Sequence, residues 1–96
     1  MVRQTGNMNV AFDPEFYEKL KKVDVRIRIL VRERIKLFSK NPYDPQLNNH
    51  LLHREYSSQR SINITSDYRA IYKEIWVGDE VVAYFVLLGT HEELYG

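Results

Sequence analysis

The stretch Val81 to Leu88 (Val-Val-Ala-Tyr-Phe-Val-Leu-Leu) is the strongest constraint in the sequence. It is an almost unbroken apolar run, and a strand of that kind belongs in the middle of a sheet, covered on both faces. Val77-Gly78-Asp79-Glu80 before it reads as a turn, and Tyr68 to Trp76, rich in aromatic and β-branched residues, reads as its partner strand. Upstream, Ile62 and Ile64 alternate with Ser61, Asn63 and Thr65, the pattern of a strand with one wet face, and Ser66-Asp67 supplies the next turn. These segments predict an antiparallel meander ended by Gly89 and Thr90, with His91 to Tyr95 as one short turn or tail.

The N-terminal half has a different period. Asp13-Pro14-Glu15 is a helix start, with a capping side chain, a proline suited to the first turn and an acidic residue at the positive end. Asp24 is a second start, and Ile27, Leu30, Val31, Ile35, Leu37 and Phe38 follow largely on one side of a 3.6-residue repeat as far as Lys40. Alternation of Val25, Ile27, Ile29 and Val31 with Arg26 and Arg28 competes as a strand signal but fails after Leu30. Asn41 to Pro45 stops the helix, Gln46 to Gln59 reads as loop or irregular edge, and Met8 to Phe12 as an edge strand or helix lead-in. Residues 1–7 read as a loose polar leader. The whole predicts an α+β fold in which two N-terminal helices pack on a small antiparallel sheet.

At 96 residues the chain has room for one domain, 1–96. Zero cysteines exclude disulfides, thiolate nucleophiles and thiolate-bound metals. No apolar run approaches a membrane span and the start lacks a secretory signal, so a cytoplasmic location with no membrane partner is expected. Four scattered glycines give no glycine-rich loop for a nucleotide. Charge is uneven: from Lys19 to Lys40 nine basic residues face only Asp24 and Glu33, whereas from Glu74 onward there are five acidic residues and no Lys or Arg. A basic segment of this kind suits a polyanion or an acidic protein segment.

Groups able to do chemistry gather after residue 49: His50, His53, Asp67 and His91, with Tyr68, Tyr72 and Tyr95 beside them. Imidazoles suit general acid and base work near neutral pH. His50 and His53 are spaced like ligands on a helical turn, but the segment looks irregular and no HExxH pattern is present, so no metal and no cofactor are expected. Arg60, Arg69 and Lys73 sit on or beside the strands as potential phosphate contacts from one sheet face, with Arg69 and Lys73 of equal parity.

His50-Leu51-Leu52, Arg60-Ser61-Ile62, Asp67-Tyr68-Arg69-Ala70-Ile71-Tyr72-Lys73 and Leu88-Gly89-Thr90-His91-Glu92-Glu93-Leu94-Tyr95 resemble the bacterial RelE/ParE toxin superfamily, nearest its YafQ-like branch of type II toxin–antitoxin mRNA interferases. The resemblance covers His50 to Gly96 in motif detail and the N-terminal half in architecture. It implies a ribosome-dependent endoribonuclease that cleaves mRNA without a metal, by attack of a ribose 2′-hydroxyl on the adjacent phosphate. It also implies a cognate antitoxin that neutralises the toxin in a hetero-oligomeric complex. By the same resemblance His91 is the general acid, His50 or Asp67 the base, Tyr95 a residue that stacks on a nucleotide, and Arg60, Arg69 and Lys73 phosphate contacts. The chain departs from the YafQ-like pattern at Ser61 and Asn63, where an acidic residue and a second histidine are common. Two other readings belong to the same superfamily: a ParE-like toxin that inhibits DNA gyrase, which generally lacks the histidines, and a catalytically silent antitoxin-binding relative.

Overall fold

The computed structural model describes residues 7–96, so the expected leader, Asn7 apart, lies outside the described residues. α1 (Pro14–Lys22) and α2 (Val25–Lys40) begin where the sequence supplies caps. The Asp13 and Asp24 carboxylates accept from the backbone N–H groups of Glu15 and Arg26 at 2.9 and 2.8 Å. Arg28 closes the far end of α1, donating to the carbonyls of Leu20 and Val23. The strand alternation at Val25–Val31 gives way because the apolar stripe continues through Ile35 and Phe38, and a helix buries that whole stripe.

Five strands form one sheet in the order β1-β5-β4-β3-β2. They are β1 (Asn9–Phe12), β2 (His50–Leu51), β3 (Arg60–Asn63), β4 (Tyr68–Val77) and β5 (Glu80–Thr90). β2 to β5 pair antiparallel, and β3-β4-β5 is the expected meander. β1 adds a parallel edge beside β5, a pairing that sequence pattern does not reveal because both helices lie between the two strands. The hairpin between β4 and β5 turns on Gly78, whose φ of +63° favours glycine. Gln46 to Gln59 is an irregular edge, with short 3-10 turns at Pro45–Leu47 and Arg54–Tyr56 on either side of β2.

The helices cover one face of the sheet. There Ile62, Ala70, Tyr72, Ala83, Phe85 and Leu88 meet Phe16, Val31 and Phe38 in a single buried cluster. Phe85 is its centre, with ring centroids 5.1 to 5.8 Å from those of Tyr72, Phe38, Phe12 and Phe16.

β5 changes phase halfway along. Tyr72 stands opposite Phe85 and Ile71 opposite Leu87, so Val86 is an extra residue, a β-bulge. Beyond it Leu88 points to the helices, and Gly89, paired with Arg69, points to the opposite, open face. α3 (His91–Tyr95), expected only as a turn or tail, folds back over that face: a Cβ on Gly89 would lie 3.0 Å from Glu93 Oε1 and 3.3 Å from Leu94 Cδ2. Thr90 and Glu93 form a capping box that starts α3.

Phe85→Ala would leave a cavity at the centre of four rings and should cost about 3–5 kcal/mol. Urea unfolding monitored by far-UV circular dichroism measures it; a loss below about 1 kcal/mol would show that Phe85 is not the centre of the core.

Candidate active site on the open face of the sheet

The open face is lined by the residues of β2 to β5 whose parity turns them away from the helices. In register across it lie His50, Ser61, Ile71 and Leu87, then Asn63, Arg69 and Gly89. The polar row on β3 is not wet as expected. Ser61 and Ile71 are fully buried, and Gln59 Oε1, Ser61 Oγ and Asn63 Oδ1 are covered without a hydrogen-bond partner among the described residues. Over the Gly89 end of this face lies α3, which is tied to the Arg54–Tyr56 turn by the Tyr56 hydroxyl donating to the Leu94 carbonyl at 2.7 Å.

Asp67 and His91 meet at one end of this face. The turn between β3 and β4 is set by Thr65, whose Oγ1 accepts from the N–H groups of Asp67 and Tyr68. The Asp67 carbonyl then accepts the N–H of His91 at 3.0 Å, so the turn and the start of α3 are locked together with both side chains exposed. Arg69 holds the same turn, its Nη1 donating to the carbonyls of Thr65, Ser66 and Tyr68. Its Nε and Nη2 make no bond among the described residues, so they keep donors for an anion. His91 and Tyr95, four apart on α3, share a helix face, and their rings lie 4.8 Å apart, with Tyr56 edge-on to Tyr95 at 5.7 Å.

His50 is exposed on the edge strand β2, three strands from β5 and thus about 14 Å across the sheet from the strand that carries His91. The two imidazoles share a face without touching, and they can work together only on a group bound between them. His50 Nδ1 lies 2.9 Å from the Asn48 carbonyl, which can only accept. In that bond Nδ1 carries the proton and Nε2 is left as a base.

The cations divide. Arg69 and Lys73 share the open face as their parity requires, but four residues of strand put them about 13 Å apart. Lys73 belongs to a separate cluster, 5.9 Å from the Tyr84 ring, whose hydroxyl donates to Asp13 Oδ2 at 2.8 Å. The Glu15 N–H, the Tyr84 hydroxyl and the Lys73 charge hold the Asp13 carboxyl below its ordinary range, and that same hydrogen bond raises the Tyr84 phenol. The expectation that Arg60 joins the other two cations is corrected. Arg60 pairs with core residue Tyr72, so it faces the helix side, where its Nε donates to Asn49 Oδ1 at 2.7 Å and its guanidinium lies over Tyr43. His53 lies in a cleft beside α3 that Tyr56 also lines, and no periodic pattern marks Tyr56 in advance. Among the described residues no group of three or more His, Cys, Asp or Glu could hold a metal ion, and no helix is long and apolar enough to cross a membrane.

No protein-family model matches this chain, and no curated protein matches it in sequence. Solved structures do match. YafQ from E. coli strain BL21(DE3) superposes with a TM-score of 0.73 at 20% identity, over 93% of this chain and 99% of its own. A chain of the toxin–antitoxin complex RelBE2 from Mycobacterium tuberculosis gives 0.72 at 19% identity, over 94% and 98%. The YoeB/ParE toxin from Agrobacterium tumefaciens gives 0.70 at 16% identity, over 88% and 99%. The chain has the RelE/ParE toxin fold. Two helices lie on one face of this chain's sheet and a short C-terminal helix lies on the other.

α3 is also anchored by charge. Lys19 Nζ of α1 lies 2.9 Å from Glu93 Oε2, and this contact, with the Thr90 N–H, lowers the Glu93 carboxyl below its ordinary value of 4.5. A carboxyl lowered by folding adds stability that is complete above the unfolded value and is lost as pH falls through the folded one. Glu93 is solvent-exposed, so the contribution is small. Carboxyl-carbon NMR titration should place Glu93 below 4.5 and Lys19→Met should raise its midpoint; an unmoved midpoint would show that the ion pair does not persist in solution.

Proposed function

We propose that this chain is the toxin of a type II toxin–antitoxin pair and that it cleaves mRNA on the ribosome. The observation that carries the reading is the corner where the Asp67 carbonyl holds the His91 N–H while the His91 ring lies against Tyr95. A general acid, a stacking surface and the Arg69 guanidinium thereby share one face with the imidazole of His50. The YafQ, RelBE2 and YoeB/ParE structures support the class, and RelBE2 is by name a toxin–antitoxin complex.

In the proposed reaction His50 Nε2 takes the proton of the ribose 2′-hydroxyl, whose oxygen attacks the adjacent phosphorus. His91 protonates the departing 5′-oxygen, leaving a 2′,3′-cyclic phosphate on one product and a 5′-hydroxyl on the other. Attacking and leaving oxygens lie in line on opposite sides of phosphorus, so the scheme requires the His50 and His91 side chains to reach one phosphate from their separate places on the face. Arg69 neutralises the charge that builds on the phosphorane oxygens, and Asp67 orients the site or shares the base role. Lys73 is a phosphate contact further along the strand. Asn63 cannot transfer a proton, so the reaction rests on a smaller acid–base set. Arg60 faces the other side and has no role in this scheme.

The cognate antitoxin is the proposed protein partner, and ribosome and mRNA the proposed substrate assembly. Arg26, Arg32, Lys36 and Lys40 of α2 have no side-chain partner among the described residues and would meet ribosomal RNA or an acidic antitoxin segment.

His91→Ala should lower mRNA cleavage by about 10² to 10⁴-fold and relieve growth arrest on expression. Primer extension on transcripts after induction measures the first. Undiminished cleavage would remove His91 from the acid role, and an absence of any cut by the wild-type chain would overturn the nuclease reading.

A further inference from the structure

The end of the β4–β5 hairpin carries apolar surface that the core does not absorb. Trp76 is 71% exposed and Val77 59%, and Ile75, Val81 and Val82 beside them are only half-buried. Trp76 shares the helix side of the sheet with Tyr72, but four residues of strand carry it about 13 Å further out, and it takes no part in the buried cluster. The tip is not a loose loop. The two strands pair as far as Val77 and Glu80, and the turn between them is only Gly78-Asp79. Trp76 is thus a large apolar group on a stiff finger, and it is the only tryptophan of the chain. Exposed Glu74, Asp79 and Glu80 flank it, and none of them forms an ion pair among the described residues. Such a finger repels phosphate, so the surface it suits is a protein with an apolar hole and a cation at the mouth.

The same chain has that hole. Between α1, α2 and the end of β1 lies a pocket of about 280 Å³, walled by Phe12, Tyr17, Leu20, Val31 and Ile35 together with Arg32. A cavity of about 150 Å³ holds a benzene ring, so an indole has room here. Arg32 is exposed and has no side-chain partner among the described residues, whereas Arg28, which also lines the pocket, is engaged in closing α1. Val25, Ile29, Arg32 and Lys36 follow one another at helical spacing on the exposed side of α2, so apolar surface and free cations adjoin the pocket. We propose that the hairpin tip of one copy of this chain docks in the α1–α2 pocket of a second copy, with Trp76 filling the hole and Arg32 meeting the indole and the carboxylates of the finger. Tryptophan gives the strongest cation–π contact, and Trp and Arg are the side chains that dominate small interfaces. A net charge of +1 leaves little general repulsion between copies, while its uneven distribution sets the acidic finger against the basic helix. One finger in one pocket buries less than a standard interface, so the association is weak, in the micromolar range. The contact joins two different surfaces, so it closes as a reciprocal pair or adds copies head to tail as concentration rises. It uses none of the groups of the cleavage scheme.

The test uses the purified full chain, with sedimentation velocity for mass and Trp76 emission as the reporter of burial, since no other tryptophan contributes. Raising the wild type from about 1 μM to about 100 μM should lift its mass above that of one chain and shift the emission to shorter wavelength. Trp76→Ser and Arg32→Glu alter exposed side chains and should leave the far-UV circular dichroism unchanged, and each should weaken association at least about tenfold. Mixed, they restore one contact, because the Arg32→Glu chain still has the finger and the Trp76→Ser chain still has the pocket. The mixture should form a one-to-one dimer whose emission shifts as that of the wild type does. A wild type whose mass and emission do not change with concentration overturns the proposal. Association that survives either substitution overturns it too, as does a mixture that stays monomeric while the wild type associates, because each places the interface elsewhere.

Discussion

The structure depends on covering β5 on both faces. A strand bearing Ala83, Phe85, Leu87 and Leu88 cannot leave either side to water in so small a domain, and each cover has a consequence. On one side Phe85 gathers four other rings from β1, α1, α2 and β4, so a single side chain links both helices to the sheet. On the other side the cover is thin: α3 lies over Gly89, and Ser61 and Ile71 are buried, yet His50, Asp67 and His91 stay exposed. Stability and candidate chemistry are separated by the thickness of the sheet.

Much of the fold was legible in the sequence because its signals are local. Asp13 and Asp24 announce helices through the carboxylates that cap them, and Gly78 announces the hairpin through the conformation it alone adopts cheaply. The parallel pairing of β1 was not legible, since register between segments about 70 residues apart is decided by packing and not by either segment's own pattern. α3 was half legible. Thr90 and Glu93 have the spacing of a capping box, but five residues carry too little periodicity to announce a helix.

The candidate site was legible as residue types and less so as geometry. Arg60 shows why. Counting parity from Ile62 and Ile64 already sends Arg60 to the core side, and the register with Tyr72 places it there. Ser61 and Asn63 carry the opposite lesson: alternation gives the face correctly, but whether that face is wet depends on what the rest of the chain lays over it. The basic segment divides in a similar way. Arg28 caps α1, Arg34 reaches the Ile64 carbonyl and Lys19 holds Glu93, so part of a charge run that reads as a docking surface is spent on holding the fold.

Val86 gives the bulge in β5 a meaning beyond local irregularity. Because side chains along a strand repeat every second residue, one supernumerary residue acts as a half-period delay, and everything downstream is delivered to the reverse side of the sheet. Gly89, the capping threonine and the imidazole after it owe their placement to that delay. The strand serves as core for its first half and as a launching ramp for the tail in its second, and a single inserted amino acid separates the two uses.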